Sequence, residues 1–485
     1  MENKYVEYIY DDRLSVSNQI ENIVGHRRYG EIIYKKRVLV DYVQTLIMSL
    51  GHNIRFHRVE DTSQLEALLA GLPEKKSMVF YHPAWIVPLK GQIEDQLKKA
   101  IVGKTSIVYE VGSSRSYSFH FENHRYIGKS DISDEDRGEA LVVNFDEYGV
   151  NISDYGTCLS FFSGSFDARF FNQVSGDSNY VTKSSTNVEK MKAEHDYYYM
   201  LPPAMQYWFV QPFDFKVSSS SASYRMERIL FADCALQWIH DAFSAAEFKA
   251  FLEKVFFFVN QRDSKNEAKE ASLSLHKNLY LDKVHDRFET LKKHPSYTRL
   301  DSFIRAGTDF DGISAVFDSY FSLYARMNEA GRAVSSKVVI GHGDLCFSNI
   351  LYDKNTHLLR LIDPKGVKNE SERWTEPFYD VAKLSHSALG DYDWINNNLF
   401  SISIDDSLKL KLSVNQNSSQ LTEKRLIFKK FLEDNGFDYY KVRFYESSLF
   451  LSMLPLHIDQ EKKVMGFLLK AIEIIKELKS YEQAR

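Results

Sequence analysis

The sequence predicts an α+β chain: an α/β domain over residues 1–150, then a two-lobed unit with a small strand-rich lobe (155–215) and a large helical lobe (216–485). Three observations predict it. Strand-like and helix-like apolar patterns alternate through the first 150 residues, the rhythm of β-α-β units. Short segments rich in aromatic and β-branched residues follow, the composition of half-buried strands. Beyond the polar break Ser218–Ser223 (SSSSAS) the patterns are mostly helical. A chain of 485 residues, 44% of them hydrophobic, is long enough for two or three packed cores.

Taken in order, Val38 to Leu50 carries Leu39, Tyr42, Val43, Leu46, Ile47 and Leu50 at helical spacing, and Gly51 stops it. Ser77–Tyr81 (SMVFY), Ser106–Val111 (SIVYEV) and Leu141–Phe145 (LVVNF) read as buried strands, with the helical QIEDQLKKAI between the first two. CLSFFSGSFDARFFNQV, NYVTKSS and AMQYWFVQPFDF read as strands of the small lobe, with the helical NVEKMKAEHDYYYML between the last two. YRMERILFADCALQWIHDAF, AEFKAFLEKVFFFVNQ, KEASLSLHKNLYLDKVHDRFETLKK and KKVMGFLLKAIEIIKELKSYEQ are helices of the large lobe.

Charge and cysteine usage exclude several classes. A net charge of −5 argues against a nucleic-acid partner, which calls for a basic excess. Cys158, Cys234 and Cys346 are odd in number and far apart, so they form neither a disulfide framework nor a CxxC zinc pair, and a reducing cytoplasm fits them. The N-terminus MENKYVEYIYDDRLS has no apolar signal core. No apolar run approaches the roughly 18–20 residues of a membrane helix, so no integral membrane segment is expected.

The chemistry concentrates in GHGDLCFSNILYD, Gly341 to Asp353, and LRLIDPKG, Leu359 to Gly366. Two apolar runs, VVIGHGD and LLRLID, each end on an acid, which delivers two carboxylates to a common edge. Magnesium prefers oxygen ligands and takes one or two protein groups together with phosphates. Asn349 and Asp363 supply an amide oxygen and a carboxylate, while Asp344 stays off the metal and orients, or takes a proton from, an attacking hydroxyl. A base Asp, an Asn five residues later and an Asp on the next strand are the division of labour of phosphoryl transfer in kinases. Three polar residues around a hairpin turn are the bland alternative.

HGDLCFSN…LID resembles the catalytic segment of the aminoglycoside phosphotransferase and choline/ethanolamine kinase superfamily, with its bilobal protein-kinase-like fold. The resemblance covers residues 155–485 as an order of elements and is specific only near 341–366. It implies Asp344 as catalytic base, Asn349 and Asp363 as Mg2+ ligands, His342 as a support for the loop, and ATP as phosphate donor. It requires a strand lysine on the α/β-phosphates paired with a helical glutamate. Lys183 in YVTKSS and Glu194, eleven residues on, meet that requirement best; Glu189, Lys190 and Lys192 compete, and a surface charge pair is the alternative. Gly164 in SGSFD is the candidate for covering the phosphates, although a full G-x-G-x-x-G is lacking. FVQPFDF, with Gln211 and Phe213, falls where the resemblance places the adenine-reading hinge; an ordinary core strand and turn is the equal alternative. Asp380 in EPFYDVAKLSHS falls where the family has an Asp that braces the catalytic loop, against a plain N-cap. LSMLPLHID, Leu451 to Asp459, resembles a C-terminal segment of bacterial members. Lys365, beside the metal aspartate, departs from the pattern: it contacts phosphate or an acidic substrate, or makes a surface pair.

The acceptor is a small molecule with a hydroxyl group. A choline-type cation would want the aromatics and carboxylate of Trp374, Glu376, Tyr379 and Trp394, although core packing accounts for each as well. Lys283 and Arg287, one helical turn apart, face either a substrate cleft or solvent. An amino alcohol, a sugar or another hydroxylated metabolite all fit; the resemblance, not these residues, implies a place in bacterial capsule or lipopolysaccharide assembly, where relatives of this kind often belong. A pseudokinase-like regulator that binds without turnover is the alternative.

In the first domain, IYKKRVLVDYVQTLIMSLGHN resembles the helix that follows the nucleotide loop of sugar-nucleotide transferases, but the glycine-arginine loop is missing and GHRRYGE (Gly25 to Glu31) replaces it poorly. A degenerate nucleotidyltransferase-like domain is therefore expected, or a scaffold for dimerisation or partner docking. Asp11, Asp12 and His82 are site candidates only if that domain is active. GKT, residues 103–105, is no phosphate loop: Lys98 stands where glycine is needed, and helix precedes strand instead of following it.

Overall fold

The computed structural model describes residues 6–483 apart from 35, 51–52, 73–77, 90, 92, 96–106, 112–114, 122–140, 145–148, 164–171, 177–178, 330–334 and 415–417. The chain divides into two units, Met1–Phe166 and Asp167–Arg485. Among the described residues no helix is long and apolar enough to cross a membrane.

The first unit is built on a six-stranded mixed sheet. Its strands are β1 (Val6–Asp11), β2 (Ile54–Val59), β3 (Met78–Pro83), β4 (Ile107–Val111), β5 (Arg115–Phe121) and β6 (Leu141–Asn144), in the order β2-β1-β3-β5-β4-β6. β1 runs parallel to both neighbours, with Ile9 opposite His57 on one side and Tyr81 on the other. All six β1 residues are buried, which explains a run that does not alternate. Helices α1 (Asn18–Val24), α2 (Leu39–Met48) and α3 (Thr62–Gly71) follow in the chain. α2 buries Leu39, Val43, Leu46 and Ile47, four of the six residues of the apolar stripe. The helical reading of QIEDQLKKAI and the GKT tripeptide fall largely or wholly on residues outside the described ones.

One segment differs from the sequence reading. Tyr155–Ser163 is a helix, α4, not a strand, and belongs to the first unit. Asp154 Oδ1 accepts hydrogen bonds from the Thr157 amide and hydroxyl, each at 2.8 Å, which starts the helix, and Cys158, Leu159 and Phe162 go into the core. The aromatic pair Phe161–Phe162 suggested a strand; the D-x-x-T start outweighs it.

The second unit is bilobal. Its small lobe is an antiparallel sheet of β7 (Asn172–Gly176), β8 (Tyr180–Ser185), β9 (Pro212–Val217) and β10 (Ala222–Glu227), ordered β7-β8-β10-β9, with helix α5 (Val188–Tyr199) against it. Asn187 caps α5 by accepting from the Lys190 amide at 3.0 Å, and Met191 packs on Ala222 and Tyr224 of β10. Ser218–Ser221 is the turn of the β9–β10 hairpin, closed by Ser218 N–H to Ser221 O at 2.8 Å. The serine run is therefore a hairpin turn within the small lobe, whose sheet runs past the boundary drawn at residue 215 to include β10.

The chain leaves β10 through Arg228–Ala232 and enters the large lobe at α6 (Cys234–Ile239), capped by Asp233. The large lobe contains α7 (Ala245–Gln261), α8 (Lys269–Lys277), a π turn at Asn278–Asp282, α9 (Lys283–Lys292), α10 (Gly312–Glu329), α11 (Phe378–Ala388), α12 (Tyr439–Met453) and α13 (Glu461–Gln483). Tyr320 stacks on Phe444 at 5.0 Å, and Phe450 and Phe467 join the same core. On this base stand β11 (Lys337–Ile340) and the hairpin of β12 (Ile350–Asp353) and β13 (Leu358–Leu361), which carry the motif residues at their ends.

Candidate active site

β8 and α5 bring the first two residues together. Lys183, in the middle of β8 opposite Tyr224, reaches Glu194 Oε2 at 2.7 Å and Asp363 Oδ1 at 2.8 Å. Lys183 and Glu194 are both buried, only 3% and 7% exposed, so this is no surface pair. Lys190 approaches the other Glu194 oxygen at 3.5 Å and Lys192 turns to Asp196. Burial alone would push the Lys183 ammonium down, but Asp363, Tyr224 and Glu194 outweigh it and hold it up. The lysine stays charged at any working pH.

Asp363 follows β13 with φ +54°, a left-handed conformation that Asp tolerates better than most residues. Lys365 N–H donates to His342 O at 2.9 Å, which returns the segment to the loop after β11. Two glycines make that return close. Gly343 has φ +80°, and a Cβ there would lie 2.6 Å from Lys365 Cβ; a Cβ on Gly366 would lie 2.5 Å from Glu194 N, inside the backbone of α5.

The Asp344 loop is pinned from within. Asn349 Nδ2 donates to Asp344 O at 2.8 Å and stands 3.3 Å from Asp344 Oδ2. Its other amide atom, the oxygen, is the kind of donor a hard divalent cation takes. His342 is fully buried, accepts the Asp344 amide on Nδ1 at 3.2 Å and donates Nε2–H to Ile362 O at 3.0 Å. An amide can only donate and a carbonyl can only accept, so the tautomer is fixed. Burial pushes His342 down against the pull of Asp380 and Asp344, which keeps it neutral, and Phe209 stacks on it at 5.6 Å.

Asp380 lies in the first turn of α11 but caps nothing on its own helix. Its two oxygens accept from His342 N (2.8 Å), Gly343 N (2.8 Å) and Arg262 Nη1 (2.9 Å), and it is fully buried. Arg262 also donates to Val259 O and Pro377 O, at 2.9 and 3.1 Å. Sequence reasoning missed Arg262, for which no local pattern gives a signal. It also missed Lys383, whose Nζ lies 2.9 Å from Asp344 Oδ1. The signal was present: Lys383 is one helical turn beyond Asp380 on the same helix.

The hinge expectation is corrected. Gln211 is exposed, and Phe213 lies on the edge strand β9, edge-on to Tyr180 at 5.5 Å. The lobes are joined by Arg228–Ala232 after β10, and Ala232 O accepts the Tyr352 amide at 3.1 Å. The residues before Gln211 are instead stitched to β13, through Val210 N–H to Leu361 O at 3.0 Å and Leu361 N–H to Trp208 O at 2.7 Å. The segment YRMERILFADCALQWIHDAF, read as one helix, is instead the strand β10 up to Glu227 and a helix only from Cys234, so the last strand of the small lobe is β10 and not β9. Gly164 lies outside the described residues.

The aromatic candidates do not assemble a cation cage. Trp394 is fully buried against Trp238 at 5.5 Å, and Trp374 lies under Lys265 at 4.8 Å. Glu376 accepts from Tyr280 OH at 3.1 Å and Phe378 N at 2.8 Å, and burial pushes its carboxyl up to about 7. A carboxyl raised in the folded state holds its proton there more tightly than in the unfolded chain. Its contribution to stability is therefore full below about pH 4.5 and lost as pH rises through 7. Melting curves between pH 5 and 8 should show the wild type losing Tm relative to Glu376→Gln as pH rises from about 5, the loss levelling off above about pH 7; parallel curves would contradict the assignment.

In the first unit, Asp12 is fully buried, bound by Arg58 and by Gly30 N at 2.7 Å, and Asp11 is held by Arg13 at 2.8 Å and by Tyr81. Burial pushes His82 down to about 4, and it pairs with Tyr8. These groups are satisfied by one another.

No family model matches the chain, and no curated protein matches it. Among solved structures, the chain is similar to a thermostable mutant of aminoglycoside phosphotransferase APH(4)-Ia in its apo form, with 13% identity and a TM-score of 0.35 over 65% of this chain and 96% of that one. It is similar to glucosamine kinase in complex with glucosamine, ADP and inorganic phosphate, with 10% identity and a TM-score of 0.40 over 64% of this chain and 81% of that one. It is also similar to an aminoglycoside-3'-phosphotransferase of type VIII, with 13% identity and a TM-score of 0.31 over 59% and 94%.

Proposed function

We propose that the second unit is an ATP- and magnesium-dependent phosphotransferase acting on a hydroxyl of a small molecule. The observation that carries the reading is Lys183 held between Glu194 and Asp363 at 2.7 and 2.8 Å. A buried ammonium fixed by a helical carboxylate and facing a second carboxylate is a built seat for nucleotide phosphates. Asn349 and Asp363 would hold the metal, whose oxygen preference suits one amide and one carboxylate completed by phosphate and water. When bound, the metal would neutralise charge on the phosphates. Lys183 binds the α/β-phosphates and Glu194 keeps it in place. Asp344 orients the attacking hydroxyl and accepts its proton. His342, Asp380 and Arg262 hold the loop that presents Asp344.

Magnesium-dependent ATP consumption should appear against a panel of amino alcohols, free and acidic sugars and aminoglycosides. Calorimetry with and without magnesium tests the nucleotide seat directly. Lys183→Met and Asp363→Asn each remove a charged partner worth about 1.5–3 kcal/mol, so the Mg·ATP Kd should rise about tenfold or more. Unchanged ATP binding in both variants would remove the basis of the reading. ATP binding with silence across the panel would move weight to a regulator that binds without turnover.

A further inference from the structure

A cluster of cations gathers around Tyr379, on the helix whose Lys383 reaches Asp344. Lys383 Nζ is 2.9 Å from Asp344 Oδ1. One turn back on the same helix, Tyr379 Oη accepts from Lys283 Nζ at 3.2 Å. Lys283 and Arg287, one turn apart on α9, line an open cavity of about 380 Å3 with Asn278, Asp282, Asp286 and Thr290. Lys365 follows the Asp363 segment, its Cβ packed beneath Gly343 and its side chain exposed.

These cations have little to neutralise them. Lys383 is matched by Asp344, and Asp282 is taken up by Lys277 at 3.2 Å. No carboxylate within ion-pair distance of Lys283, Arg287 or Lys365 occurs among the described residues. With Asp282 paired to Lys277, Lys283 and Arg287 stand against one remaining carboxylate of the cavity, Asp286, and Lys365, outside the cavity lining, adds a further cation that acts on Tyr379. The field is felt at Tyr379: burial pushes its phenol up, yet Lys283, Lys383 and Lys365 together pull it below its ordinary value. Unpaired cations gathered beside a reactive carboxylate repel a cationic acceptor and attract an anionic one.

We infer that the hydroxyl acceptor is an acid, carrying a phosphate or carboxylate group that Lys283, Arg287 and Lys365 bind while its hydroxyl meets Asp344. This rests on the phosphotransferase reading and narrows it: a quaternary or primary amine acceptor does not suit the site.

The test is binding by calorimetry to the full chain with magnesium and a non-hydrolysable ATP analogue present. The probes are matched pairs: glucose 1-phosphate and glucuronate against glucose, glycerol 3-phosphate against glycerol, and ribitol 5-phosphate against ribitol. At least one acid should bind about tenfold or more tightly than its neutral parent, and the pairs separate phosphate from carboxylate. Lys283→Met, Arg287→Met and Lys365→Met should each erode that preference while the nucleotide Kd stays within about threefold. Neutral parents binding as well as every acid, or choline or glucosamine binding best, overturns the inference. So does an acid preference that survives all three substitutions. An acid that binds with this preference but is never phosphorylated by the wild type keeps the anion site and removes the phosphotransferase.

Discussion

Asp344→Asn is expected to lower kcat by about 10³-fold or more while leaving the Mg·ATP Kd within about threefold. The structure gives the reason for both halves. The loop around Asp344 is held chiefly by groups other than its side chain: Asn349 donates to the Asp344 carbonyl, His342 accepts its amide, and Asp380 accepts the amides of His342 and Gly343. Removing the carboxylate charge therefore leaves the loop in place and the Lys183 seat untouched. What is lost is the group proposed to accept the proton of the acceptor hydroxyl. Asp344→Ala is a poorer probe, since it also leaves Lys383 facing an emptied position. Rapid-quench kinetics with the identified acceptor would settle the matter. A variant that kept more than about a tenth of wild-type turnover would remove Asp344 from the role of base, because a positioned base contributes far more than that.

Arg262→Met is expected to cost about 3–5 kcal/mol of stability, because it strands the fully buried Asp380 carboxylate. The corresponding loss of Tm is on the order of 10 °C. Arg262 and Asp380 are 1% and 0% exposed at the side chain, so solvent cannot take over the broken partner. The double variant Arg262→Met/Asp380→Asn should be more stable than the sum of the single losses, since the second change removes the charge that the first stranded. Additive losses in chemical denaturation would show that the two do not act as a pair. Arg262→Lys should recover only part of the loss, because the guanidinium also reaches Val259 O and Pro377 O from the same fork.

Legibility from sequence followed the range of the interaction. The carboxylates of the site were readable because spacing along two adjacent strands fixes their relation: Asp344, Asn349 and Asp363 fall within twenty residues. Lys183 and Glu194 were readable because a strand and the helix after it form a local unit. α2 and the strands at 78–83, 107–111 and 141–144 were readable from apolar period alone. The failures share a different cause. Arg262 meets Asp380 across 118 residues, and nothing in its neighbourhood announces the partner. The hinge was misplaced because Tyr224–Glu227 reads as the start of a helix, which makes β9 the last strand of the small lobe; that segment is the strand β10, and the hinge follows it. The serine run has the composition of a linker but the length of a hairpin turn.

Helix α5 touches the site at three points: Glu194 holds Lys183, the backbone at Ala193–Glu194 packs against Gly366, and Tyr197 OH donates to Gly341 O at 2.5 Å. Those points belong to the Lys183 pair, the segment after Asp363 and the loop that carries Asp344. One rigid rod therefore sets the alignment of three otherwise separate parts, and a rotation of that rod would release them together. The three segments thus share one support, and a change on α5 would be felt in all of them at once.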